Sequence, residues 1–212
     1  MGSHTCLTDP AALLVADASV VISLNATDCA PEIIRAMPNR LAVVDAVPAE
    51  LETGRPRGRQ DADRLRDLVV AGLVEIVTLD EQAAQYFEEL VVGPAAQTLD
   101  DGEAATIAYA LAHGAFALVD ERKANRICGE RFPNIRIGCT LDVLLHPKVN
   151  DRLGHKSLAE AVFKSLYHGR MRVLHHHVEW VIGLIGPEKA ALCNSLSKSV
   201  RRAPVNIEAI KG

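Results

Sequence analysis

Five carboxylates stand at or just past the ends of the chain's compact apolar runs: Asp17, Glu50, Glu103, Asp120 and, beside the last, Glu121. They are spread over about a hundred residues. Carboxylates that are brought together raise one another's pKa unless a cation neutralises them. A gathered set would hold a divalent cation, and oxygen ligands favour Mg²⁺ or Mn²⁺. The chemistry of such a centre is phosphodiester hydrolysis, which needs neither a Ser–His pair nor a histidine nucleophile. Each acid also has an ordinary reading. Asp17 can cap a turn and Asp120 can be a solvated strand end. Glu50, and Glu103 with Asp100 and Asp101 beside it, can be first-turn acids favoured by the helix dipole.

What decides between these readings is whether the fold brings the acids together. The apolar runs alternate with amphipathic ones. Leu13–Ala16, 41–47, 74–79, 116–121 and 135–140 read as five short buried strands. Helices are expected between them, among them a strong one at 99–114 that starts at the acids and ends at Gly114. Alternation of this kind predicts an α/β fold: a parallel sheet of about five strands with helices on both faces. Ligands of such sheets bind beyond the carboxyl ends of the strands, where the strand order reverses. If strands one and four are neighbours, the acids share that edge. After Pro147 no convincing strand follows. Helices at roughly 157–168, 170–184 and 187–200 suggest a helical C-terminal extension. The organisation expected is a tail over 1–11, an α/β domain over 12–147 and the extension over 148–212.

The net charge of −4 hides an asymmetry. Residues 1–120 carry −12 and residues 121–212 carry +8. An acidic half that holds metal and a basic half that meets phosphate suit a polyanionic substrate. Two solvated surfaces that hold a molecule or a homodimer together are the plainer alternative. The five cysteines, at 6, 29, 128, 139 and 193, are odd in number and form no CxxC pair. Neither a disulfide framework nor a zinc knuckle is indicated, and reduced thiols in a cytoplasmic protein are expected. The start MGSHTCLTDP lacks the pattern of a signal peptide. The apolar stretch VEWVIGLIG is too short for a bilayer, so no membrane partner is expected.

Four segments together carry a resemblance: VADASVVI around Asp17, VPAEL around Glu50, LDDGEAATIAYALAHGA around Glu103 and LVDERKANR around Asp120. In this order the chain, over roughly 12–146, resembles PIN-domain ribonucleases, including the VapC-type toxins. The pair Gly102-Glu103 is similar to a subgroup with Gly-Glu in its third motif. The resemblance implies a PIN-like fold and a Mg²⁺- or Mn²⁺-dependent ribonuclease. Asp17, Glu50 and Glu103 would be its first three metal-binding acids. For the fourth, the strand end favours Asp120, while a gapless reading of the family's motif points to Glu121. Ser19 falls where a small polar residue assists the site in that family. Also implied are an RNA substrate and a toxin–antitoxin pair, with an antitoxin protein covering the cleft. A PIN fold that binds RNA or protein without cleaving is the alternative reading.

Weaker signals concern phosphate and partners. Arg55, Arg57 and Arg59 alternate in a loop, and Arg122, Lys123 and Arg126 follow the fourth acid. Both groups are candidates for gripping an RNA backbone, against plain solubilising charge. On an α-helix, His175–His177 would point to different faces. His168 and His175 could share one, but a zinc site there lacks other clear ligands. Structural or surface roles are the expectation. Trp180 suits core packing or an anchor in a homodimer or partner interface. DASVV lacks the Asp-x-Asp start of a haloacid-dehalogenase phosphatase. No paired acid at the first strand marks a receiver domain, and no G-x-G-x-x-G follows a strand to mark a dehydrogenase.

Overall fold

The computed structural model describes residues 4–201. The parts of the expected tail and extension at 1–3 and 202–212 lie outside the described residues. The first strand, β1 (Leu14–Ala16), is followed by α1 (Ala18–Ala26) and α2 (Ala30–Ala36). Next come β2 (Leu41–Val44), α3 (Ala46–Glu52), a 3-10 helix at Arg55–Arg57 and α4 (Asp61–Val70). After β3 (Glu75–Val77), two helices follow in succession, α5 (Glu81–Val91) and α6 (Asp101–His113). The sheet is completed by β4 (Phe116–Leu118), α7 (Arg122–Arg131) and β5 (Arg136–Gly138).

All five strands are parallel, in the order β3-β2-β1-β4-β5. The burial of each strand follows from its place. β1, β2 and β4 are buried throughout, as interior strands covered on both faces must be. At one edge β3 is largely exposed, and at the other β5 is half-buried. The strands are shorter than the apolar runs suggest. Helix α3 begins at Ala46, inside the run 41–47, so Glu50 lies well within its helix.

The chain first builds outward from β1 through β2 to β3. It then returns through α5 and α6 to place β4 on the other side of β1. Strands β1 and β4 pair directly, Leu14 with Phe116 and Ala16 with Leu118. The pairing continues past the strand ends, where the Asp17 N–H donates to the Leu118 carbonyl at 3.2 Å. This is the reversal point at which an open α/β sheet forms its ligand crevice.

Beyond β5, α8 (Thr140–Leu144) leads into α9 (Pro147–Tyr167), which is broken at Gly154, where φ is +71°. A 3-10 helix at His175–His177 precedes α10 (Val178–Ile185), α11 (Pro187–Leu192) and α12 (Lys198–Arg201). The extension is therefore helical, but the helix expected over 170–184 is not continuous. Residues 170–174 are not helical, and Arg170 turns the chain with φ +56°. The turn follows a tight approach at Gly169. A Cβ there would meet the Ser165 carbonyl at 2.7 Å and the Ala26 Cβ at 2.9 Å. Helix α9 packs on α1 and α2. Ser165 donates a buried hydrogen bond to the Ser23 carbonyl at 2.7 Å. Leu158, Val162, Leu166 and Val181 join the same apolar cluster as the sheet. Half-buried Trp180 packs against that cluster. No helix among the described residues is long and apolar enough to cross a membrane.

Candidate active site

Asp17 caps α1 from the end of β1. Its carboxylate accepts the Val20 N–H at 2.8 Å and the Ser19 hydroxyl at 2.9 and 3.0 Å. The cap fixes the carboxylate over the crevice while leaving it nearly inaccessible, at 3% exposure. Asp120 follows β4 two residues after its last strand residue. It accepts the Thr140 N–H and hydroxyl, both at 2.8 Å, and the Ser23 hydroxyl at 3.3 Å. Thr140 and Ser23 are partners that the acid motifs do not mark. A small polar residue at the end of the fifth apolar run was the available signal for Thr140.

Glu50 comes from α3 and Glu103 from the first turn of α6, and these two helices pack together. Gly102 is the point of closest approach. A Cβ on Gly102 would lie 2.2 Å from Glu50 Oε2. The glycine before Glu103 therefore makes room for the carboxylate of Glu50.

Asp17, Glu50, Glu103 and Glu121 line one cleft together with Ser19, Asp100, Asp101, Lys123 and Arg172. Its volume of about 910 Å³ is room for a nucleotide-sized ligand. Asp120 is buried beneath, 2% exposed, and its charge acts on Asp17. Four of the five candidate acids thus reach the cleft, and the fifth couples to it from below.

The electrostatics follow from this crowding. Burial, then the charge of Asp120, raises the pKa of Asp17 well above the carboxylate range. Burial and the neighbouring charges of Glu121 and Asp100 push Glu103 up to about 7, against the pull of Lys123. Burial lifts Asp120 to about 6 despite the hydrogen bonds from Thr140. Partial desolvation and Asp100 raise Glu50. Six carboxylates face two cations across the cleft lining. An all-oxygen, anion-rich set of this kind fits a hard divalent cation, whose charge would offset the repulsion.

The basic candidates separate into three groups. Lys123 lines the cleft. Arg122 turns away to the Val173 carbonyl at 3.4 Å and lines a different cavity. Arg126 pairs with Glu130 at 2.8 Å and donates to the Ala96 carbonyl. Arg55 is held by Glu52 and Asp63, at 2.6 and 2.9 Å. Arg59 pairs with Asp61, and Arg57 is exposed. None of these last four lines the cleft. The cation that sequence reasoning missed is Arg172. It reaches the cleft from the non-helical segment after Gly169 and pairs through Nε with Glu121 at 2.6 Å. No local pattern marks it, because that segment reads as helix.

A family model described as "DUF3368: PIN domain" matches residues 13–187. The chain belongs to this PIN-domain family. The matched span includes the sheet and runs on through α9 and α10. Among solved structures, the crystal structure of VapBC2 from Rickettsia felis bound to a DNA fragment from their promoter aligns with a TM-score of 0.44 at 17% identity. That alignment covers 60% of this chain and 98% of the other. No curated protein matches the chain.

Proposed function

We propose that this PIN-domain protein is a metal-dependent endoribonuclease that acts as the toxin of a toxin–antitoxin pair. The observation that carries the reading is the convergence of Asp17, Glu50, Glu103 and Glu121 on one cleft over Asp120, with the pKa values of Asp17, Glu50, Glu103 and Asp120 raised by burial and neighbouring carboxylates. Asp17, Glu50 and Glu103 would hold Mg²⁺ or Mn²⁺, with Asp120 or Glu121 as the fourth acid. When bound, such a cation supplies the charge that activates water and stabilises the departing oxygen in phosphodiester hydrolysis.

The chain's own residues have separable tasks. Ser19 orients the Asp17 carboxylate through its hydroxyl. Thr140 and Ser23 fix Asp120 so that its charge bears on Asp17. Lys123 and Arg172 are the cleft's cations and are placed to take substrate phosphate oxygens. Arg172 must first release Glu121, an exchange that costs little because the pair is half-exposed. RNA as substrate and an antitoxin that covers the cleft are what the resemblance of the four acidic motifs supports.

A second reading is a PIN fold that binds RNA or protein without cleaving it. One observation favours it: Glu121 is already paired with Arg172, and Asp120 already accepts hydrogen bonds from Thr140 and Ser23. A panel of structured and single-stranded RNAs incubated with Mg²⁺, Mn²⁺ or EDTA decides between the two. Metal-dependent cleavage absent in Asp17→Asn is the expected result. Equal background in both proteins, with RNA binding intact, would move the assignment to the non-cleaving module.

A further inference from the structure

We propose a second metal site, formed by Cys139, Asp142 and His177 and suited to a zinc-class cation. It lies outside the cleft and does not depend on the nuclease reading. Cys139 closes β5, Asp142 occupies the first turn of α8, and His177 ends the 3-10 helix before α10. One thiol sulfur, one carboxylate oxygen and one imidazole nitrogen lie within 4.8 Å of one another. Cys139 Sγ is 3.1 Å from Asp142 Oδ2, and His177 Nε2 is 3.7 Å from Asp142 Oδ1. Ligands about 2.0–2.3 Å from a tetrahedral zinc ion stand roughly 3.3–3.8 Å apart. The two distances run to different oxygens of Asp142, so the carboxylate lies between the thiol and the imidazole, and small side-chain movement would close the group on an ion.

Three features make this more than a chance meeting of polar groups. The donors come from two segments far apart in sequence, and all three are buried, with His177 wholly inaccessible. The donor set also differs in kind from the cleft. A thiolate and an imidazole select zinc-like ions over Mg²⁺, whereas the cleft offers oxygen alone. Finally, a further thiol stands beside the group. Cys6 donates its backbone N–H to Asp142 Oδ1 at 3.1 Å, and its thiol donates to the Ile137 carbonyl at 3.5 Å. Cys6 is exposed, so this side of the group has a route from solvent, and its thiol would become a fourth donor on leaving the Ile137 carbonyl. Binding requires the Cys139 thiol proton to leave for solvent and the imidazole to be neutral.

The consequence is architectural. Cys139 precedes Thr140, whose N–H and hydroxyl hold Asp120. An ion here would pin the β5–α8 turn, the N-terminal segment and the 3-10 helix at one point, and through Thr140 it would fix the acid beneath the cleft.

The test is titration of metal-free, full-length protein with Co²⁺ in excess Mg²⁺, followed by Zn²⁺ competition. The expected result is a sulfur-to-cobalt charge-transfer band that saturates at one ion per chain and is displaced by Zn²⁺. The band persists in Asp17→Asn, weakens in Cys6→Ser and disappears in Cys139→Ser. Serine replacements at Cys29, Cys128 and Cys193 retain it, which keeps the assignment secure if Cys139→Ser does not fold. Absence of the band in the parent protein would overturn the site. So would a band that survives in folded Cys139→Ser, or one that is lost in any of the other three serine variants.

Discussion

Asp142 and the carboxylates of the cleft stand on two sides of the sheet's end, and they are stabilised in opposite ways. Asp142 is surrounded by donors. Burial works to raise its pKa, but hydrogen bonds from His177, Cys139 and the Cys6 N–H outweigh burial and bring it down to about 2. Across the β5–α8 turn, Asp17 and Glu103 face other carboxylates, and their pKa values go up. The difference separates a carboxylate that protein donors already hold in its charged form, which a zinc-class ion would share with Cys139 and His177, from carboxylates whose mutual repulsion a hard cation would relieve. Asp120 is intermediate, with three protein hydrogen bonds and a pKa still raised to about 6.

The largest expected effect breaks the cleft side of this contrast. Asp17→Asn keeps the cap on α1, since asparagine caps as well as aspartate, but it removes a candidate metal ligand. RNA cleavage should fall roughly 10²- to 10⁴-fold, while the midpoint of urea unfolding without metal should stay level or rise. A fall in that midpoint would place Asp17 among the structural acids instead. The mirror experiment is Asp142→Ala. Removing this hub strands the Cys6 and Cys139 N–H groups. Its cost should be about 3–5 kcal/mol in urea unfolding. A loss below about 1 kcal/mol would show that the donors around it do not depend on this carboxylate.

Changing pH should move the two groups in opposite senses. A carboxyl whose folded pKa is raised stabilises the fold while protonated. Metal-free protein should therefore lose stability as pH climbs from about 4, the unfolded value, through the folded values of about 6 for Asp120 and about 7 for Glu103. Added Mn²⁺ should restore stability, most strongly at the upper end. Asp142 contributes stability above its unfolded value, and that contribution is lost as pH falls toward about 2. Thermal melts from pH 4 to 8, with and without Mn²⁺, read the first effect. A metal-free melt that rises with pH across this window would contradict it.

Smaller effects sharpen the account. Gly102→Ala should displace the Glu50 carboxylate and lower Mn²⁺ affinity about tenfold. The same change should raise intrinsic helix stability by roughly 0.5–1 kcal/mol. Opposite signs in calorimetric affinity and thermal midpoint would be hard to produce by general damage. Arg172→Ala should change stability by no more than about 1 kcal/mol. It should weaken RNA binding, with a shallower salt dependence.

The sheet and the acids were legible because each rests on a local pattern. LVA, LAVV and FAL are compact apolar runs that only an interior parallel strand buries. Asp17 and Asp120 stand just past the ends of two of them, and Glu50 and Glu103 stand in the helices that flank them. The neighbour relation of β1 and β4 followed only conditionally, because strand order is a long-range property. Arg172 and the Cys139–Asp142–His177 group were not legible. Both depend on the chain leaving helix after Gly169, and nothing apolar in RMRVLHHH breaks the helical spacing. The break comes from the fit of Gly169 against Ser165 and Ala26, a contact between segments some 140 residues apart. The histidines consequently form a 3-10 turn rather than part of an α-helix, and His177 turns inward to meet Asp142 and Cys139, which the sequence had not placed beside it.

The most direct measurement is calorimetric titration of Mn²⁺ into metal-free protein at neutral pH, in parallel with Asp17→Asn and Glu103→Gln. The account predicts saturable binding accompanied by proton release, since Glu103 and Asp120 hold protons up to about 7 and 6, and marked weakening in both variants. Binding of equal strength in all three proteins, or none in the parent, would contradict the claim that these carboxylates are arranged for a cation.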